Sequence, residues 1–442
     1  MSGVTIVNAR ILTGGALREG SIVAEEGKIT KIGRSPSPVG EIMDAHGRLV
    51  LPGLVDLHVH FREPGATQKE DFYTGSCAAA AGGVTTVLDE PNNTPVIDTP
   101  SAFKQKLDTI KGKALVDYDI TIALNDHNLD DLPEFKSLGA TTYAEFDELG
   151  DKPTGLTNAG ALLDAMRAVK RVNGLLLMNC REAEIVDHET RRLCGAGRNS
   201  FGDYNSSFPR VAESVAAAKR ILMAESIGVR AHLHDGDTAR PRCIEGQYDR
   251  RGETRPPLPQ RGRLGFPRPP RPAVDPNTAE RGHKGTLECP RYGARGHSRL
   301  RPRAPHPRRE ETRLREHLGL TPGIPAVETM LPLLLTEVSR GSLTLARLVK
   351  ASSSTPAKIL GIHPRKGEIA LGSDADLIIV DPDEEWTIKG EELHGKTRWT
   401  PYEGRRVRGR PLITFVRGTL TYDRGEVLGE PGQGRRISLE TH

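Results

Sequence analysis

The stretch VDLHVHFREPG, residues 55–65, closes an apolar run with two histidines one residue apart and an arginine two positions further on. Alternate side chains of an extended strand share a face, so His58, His60 and Arg62 are expected to point the same way. Two imidazoles and a guanidinium make a poor piece of core. As chemistry they make sense: neutral imidazoles ligate a transition metal, and a guanidinium beside them grips an anionic group through a bidentate fork. An isolated HxH pair is also compatible with two ordinary histidines, so the surrounding sequence has to decide.

The elements that must position these residues are legible as texture. VTIVNARILTGG, GSIVAEEGKITKIG and EIMDAHGRLVLPG alternate apolar and polar residues between glycine-bearing turns, as short antiparallel strands do. The same texture returns in KGEIALGSDADLIIVD, EEWTIKGEEL and PLITFVRGTLTYDRGEVLG. A small β-sandwich domain built from both ends, 1–51 and 362–430, is the economical expectation. Between them the pattern alternates β and α. GLVDLHVH, VTTVLDEP, YDITIAL, GATTYAEF, GLLLMN and VRAHLH read as strands. Helical stretches such as KEDFYTGSCAAAAGG and NAGALLDAMRAVKRV separate them. Repeated βα units predict an α/β fold with a parallel sheet, here a (β/α)8 TIM-like barrel over 52–361 whose site lies at the strand C-terminal ends.

Composition adds boundaries. The 442 residues accommodate a large barrel and a satellite domain. The N-terminus has no basic n-region followed by a long apolar stretch, and no run approaches 18 apolar residues, so neither a signal peptide nor a membrane span is expected. The five cysteines form no CxxC, which fits a cytoplasmic, disulfide-free protein. The net charge of +4 is concentrated in residues 240–303, which hold 15 Arg, 11 Pro and 8 Gly but one Lys. Such a segment reads either as a disordered basic insert or as GC-rich codons translated out of frame, and the second explains the near absence of lysine. With few aromatics to stack bases, a nucleic-acid partner is not expected.

With HVHFREPGATQKEDF and GGVTTVLDEPNNTPVID on the page, the chain resembles the dihydroorotases of the amidohydrolase superfamily, over roughly 1–234 and 304–430. TPGIPAVETMLP, GEIALGSDADLIIVD and TPYEG match later family segments. Related allantoinases and hydantoinases share the HxH but usually lack the arginine and the KEDF run. The resemblance implies interconversion of N-carbamoyl-L-aspartate and dihydroorotate in pyrimidine synthesis by a metal-activated hydroxide. Two Zn2+ ions per subunit are implied, one or two here. It places substrate on Arg62, Asn92, His306 and the Pro322–Gly323 turn, and metal on His58 and His60. The partner implied is a small molecule, with a homo-oligomer left open.

The departures from the pattern are as informative. The family's bridging lysine is absent from GATTYAEFDELG, where Glu145 is the expected carboxylate, with Asp147 and Glu148 as fallbacks. Asn179 stands where a ligating histidine belongs, and an amide is a poor zinc ligand. VRAHLHDGD offers His234 first and His232 second. The family's metal-binding, proton-shuttling aspartate falls on Pro302, so no catalytic acid–base is identified. That loss sits at the end of the Arg-, Pro- and Gly-rich segment. The rivals are another cyclic amidohydrolase, allantoinase or dihydropyrimidinase, and a non-catalytic scaffold of the same family.

Overall fold

The computed structural model of the chain describes residues 3–145, 155–156, 158–198, 203, 206–234 and 324–437. Outside the described residues lie the segment 240–303 with Pro302, and also Asp147, Glu148, His306, Pro322 and Gly323. The N-terminal strands are β1 (Gly3–Thr13), β2 (Ala16–Glu25), β3 (Lys28–Gly33), β4 (Glu41–Asp44) and β5 (Leu49–Pro52). Their alternating apolar residues turn Ile6, Ile11, Ile22 and Val50 into one buried cluster.

The parallel part follows: β6 (Leu54–Val59), β7 (Val84–Asp89), β8 (Asp117–Ile120), β9 (Ile122–Leu124), β10 (Thr142–Glu145), β11 (Leu175–Asn179) and β12 (Arg230–His234). β6, β7 and β8 pair in parallel, and so do β9 to β12 in chain order; only Thr121 separates β8 from β9. Every residue of VTTVLD in β7 is buried, the signature of a parallel strand covered on both faces. Helices α1 (Phe72–Ala81), α2 (Pro100–Ile110), α3 (Leu132–Ser137), α4 (Ala159–Arg171), α5 (Ala183–Gly195) and α6 (Arg210–Ile227) alternate with these strands. Asp71, Thr99 and Asn158 cap α1, α2 and α4 by accepting from backbone N–H groups of the first turn.

After α7 (Met330–Ser339), α8 (Leu345–Val349) and α9 (Thr355–Leu360) the chain returns to the first sheet with β13 (Leu377–Thr387), β14 (Arg406–Val416), β15 (Thr419–Asp423) and β16 (Glu426–Val427). β13 lies antiparallel on β5, with Ile378 opposite Leu51, so the strands of both ends form one sheet of nine. Lys366 welds this sheet to the parallel wall. Its buried Nζ lies 2.7 Å from Asp117 on β8, 3.1 Å from Asp374 and 2.5 Å from Asp376. The three carboxylates therefore enclose an ammonium, whose loss would strand buried charge.

Candidate metal and substrate site

His58 lies within β6 and His60 one residue beyond its end. The strand does not run on to residue 62. Asp89 at the end of β7 accepts the Phe61 N–H through Oδ1 at 2.7 Å, and the Phe61 ring turns into the core, 5.3 Å edge-on from Phe72. α1 can approach that ring only because residue 75 is glycine: a Cβ there would stand 2.5 Å from Phe61. With Phe61 buried, Arg62 takes a left-handed backbone (φ 55°). The expectation that one extended strand carries 58, 60 and 62 is thus corrected at Arg62. That residue still lines the same cavity as the two histidines, from a loop.

The imidazoles form a chain. His60 Nδ1 lies 2.7 Å from Asn92 Oδ1, His60 Nε2 3.0 Å from His58 Nε2, and His58 Nδ1 3.2 Å from His234 Nδ1. Asn92 Oδ1 accepts, so His60 Nδ1 donates to it. With each ring singly protonated, His58 Nε2 then donates to His60 and His234 Nδ1 to His58. That leaves His234 Nε2 as a lone pair, buried and with no hydrogen-bond partner among the described residues. Burial, then the neighbouring His58 and Arg62 charges, pushes His60 down to about 3. Burial also lowers His234 well below its ordinary value and His232 to about 4. These three rings are therefore neutral near pH 7, the form a metal requires.

A carboxylate joins them from a place the sequence reading passed over. Glu90, one residue past β7, has Oε1 3.8 Å from His234 Nε2 and 4.0 Å from His58 Nδ1. One ligand atom each from His58, Glu90 and His234 lie within 4.8 Å of one another. Two imidazoles, that of His234 buried and neutral, a buried carboxylate and an unused lone pair fit a divalent cation of the zinc type.

Glu145 is placed differently from the sequence expectation. Its Oε2 accepts from Arg220 Nε at 2.7 Å and its Oε1 from Arg220 Nη2 at 2.6 Å, both residues being buried. A metal there would compete with a bidentate guanidinium. Asn179 donates its amide to the Glu145 carbonyl at 3.2 Å and faces the cavity. His232 packs edge-on against His234 at 5.2 Å, outside the His58–Glu90–His234 group.

The cavity beside this group measures about 920 Å³. Arg62, Lys69, Arg181 and Arg398 line it together with Asp56, Glu70, Glu213 and Glu328, so it offers cationic groups to an anionic ligand beside carboxylates of its own. Sequence reasoning missed Glu90, Arg181 and Arg220. Glu90 carried a signal, being the residue directly after VTTVLD at a strand end; Arg220 carried none, lying within a helix.

The chain is similar to several known proteins. The family described as Dihydro-orotase-like matches residues 47–236, and the Amidohydrolase family matches 321–421. The dihydroorotase of Methanosarcina acetivorans is 32% identical, covering 98% of this chain and 95% of its own. That of Methanothermobacter thermautotrophicus is 30% identical over 95% of this chain and 94% of its own. Among solved structures, an L-hydantoinase (dihydropyrimidinase) from Arthrobacter aurescens superimposes with a TM-score of 0.78 at 24% identity. The superposition covers 99% of this chain and 100% of that one, a likeness of fold.

Proposed function

This chain belongs to the dihydroorotase family of the amidohydrolases, and we propose from that membership that its cavity takes N-carbamoyl-L-aspartate and dihydroorotate. The reaction is the reversible closure of a cyclic amide. The observation that carries this reading is that Arg62 lines one cavity with His58 and His60, while Asn92 Oδ1 holds His60 Nδ1 at 2.7 Å. We read the parallel strands as part of a (β/α)8 barrel and the terminal sheet as its sandwich-like satellite.

The Arg62 guanidinium offers a planar fork to the substrate carboxylate, which a lysine could not reproduce. Held so, the amide group lies toward the histidine wall. Arg181 and Lys69 add positive charge along the cavity, and Val186, Phe208 and Val327 give it apolar walls that limit water. His58, His234 and a carboxylate would hold Zn2+, with His60 beside them. A bound ion of this kind supplies Lewis acidity and a water of lowered pKa.

By the family resemblance the proton-carrying aspartate falls on Pro302, and we assign no other residue to the proton that must reach the leaving nitrogen. One family match ends at 236 and the other begins at 321, on either side of the Arg-, Pro- and Gly-rich segment. We therefore read that segment as translated out of frame, and the chain as written as binding substrate with little turnover. The test compares the chain as written with one whose reading frame across codons 235–303 is corrected, assaying dihydroorotate, allantoin and dihydrouracil. Turnover restored by the correction, with dihydroorotate preferred, is expected. Robust turnover by the chain as written would show the segment to be genuine, and a preference for allantoin or dihydrouracil would overturn the substrate.

A further inference from the structure

We propose that Glu90, from the loop after β7, is the carboxylate ligand of the metal in this chain, forming one site with His58 and His234. The proposal rests on the family reading for the presence of a metal, but the ligand set comes from the geometry alone. Glu90 is buried, at 2% exposure, and its backbone N–H donates to the Val59 carbonyl at 2.9 Å. That bond locks the residue between the two histidines of the β6 end. Its Oε1 stands 3.8 Å from His234 Nε2 and 4.0 Å from His58 Nδ1. Ligands on a tetrahedral ion with bonds of about 2.0–2.1 Å are about 3.4 Å apart. The observed spacings need only a small contraction.

The second observation is independent of the carboxylate. The hydrogen-bond chain that begins at Asn92 leaves the lone pair at His234 Nε2, and that buried atom has no hydrogen-bond partner among the described residues. It faces Glu90 Oε1. A lone pair facing an acceptor oxygen at this distance is stabilised by a cation between them. The competing carboxylate, Glu145, is already clamped by both arms of Arg220. His60, held by Asn92, lies outside the group whose ligand atoms come within 4.8 Å of one another, so it orients the site from beside it.

The experiment is a Co2+ and Zn2+ titration of the full-length metal-free chain, followed by visible absorption and by calorimetry, with no substrate present. Wild type is expected to bind one ion per chain, Glu90→Gln to lose at least a hundredfold in affinity, and Glu145→Gln to keep wild-type affinity. Glu90→Asp guards against a misfolded glutamine variant. It should still bind Co2+, more weakly and with a shifted visible band, because the ligand oxygen has been withdrawn by one methylene. Unchanged affinity and spectrum in the Glu90 variants, or loss of the ion in Glu145→Gln, would overturn the assignment. Failure of the family reading is seen separately, as a metal-loaded chain that does not bind dihydroorotate.

Discussion

Replacing Lys106 by methionine tests how the strand ends at the site are held. Lys106 on α2 is wholly buried; its Nζ bonds the equally buried Asp89 carboxylate and, at 2.6 Å, Asn93 Oδ1. The other Asp89 oxygen holds the Phe61 N–H, next to His60. Burial raises the Asp89 pKa against the lowering by Lys106, so the ionised carboxylate depends on its partner. Lys106→Met removes the ammonium at nearly constant volume and leaves a buried charge uncompensated, a loss of about 3–5 kcal/mol. At about 2 °C per kcal/mol or less for a chain of this size, Tm should fall by up to about 10 °C.

Adding Asp89→Asn keeps an acceptor for Phe61 and removes the stranded charge, so the double variant should recover most of the loss. The sign with pH follows from the raised pKa. A carboxyl that protonates more readily when folded favours the folded state below its ordinary value of 3.8, and that advantage disappears as pH rises through its folded value. The deficit of Lys106→Met should therefore be smallest near pH 4 and widen toward pH 7. Calorimetric scans of the four variants at several pH values decide it. Strictly additive losses, or a single variant within about 1 kcal/mol of wild type, would refute the argument.

Arg62→Lys should raise KM for dihydroorotate, measured on the frame-corrected chain, by about 10–100-fold for the lost charged hydrogen bonds, with zinc content unchanged. His58→Ala should abolish metal binding as read by elemental analysis, since too few imidazoles remain in the group; unchanged metal content would show that His58 is not a ligand. His394 Nδ1 lies 2.8 Å from Glu328, which lines the cavity, and that hydrogen bond raises the imidazole pKa above 6.5. Its stabilisation is fully present below pH 6.5 and is lost as pH rises through the raised value. Glu328→Gln should flatten that part of a Tm-against-pH curve, and an unaltered curve would dismiss the pair.

Local rules made much of this protein readable in one dimension. Strand alternation is enough to bring His58 and His60 together, and the runs VTTVLD and LLLMN announce buried parallel strands wherever they pack. Asp71, Thr99 and Asn158 mark helix starts because a side-chain oxygen satisfies N–H groups within the next turn. The texture of the two ends likewise announced strands sharing one small domain, though not which strands would join them: β5 pairs with β13 across more than three hundred residues. The choice of carboxylate was a matter for the tertiary structure. Glu145 and Glu90 both stand at strand ends, and only the arrival of Arg220 from α6 turns one of them away from the histidines. Arg62 left its expected face for a similar reason: Phe61 gained more by packing on Phe72, in space opened by Gly75, than the strand gained by continuing. His234 reached His58 across 176 residues of sequence. Sequence spacing carries what neighbouring backbone atoms enforce; which charges and rings meet is decided by packing between elements far apart in the chain.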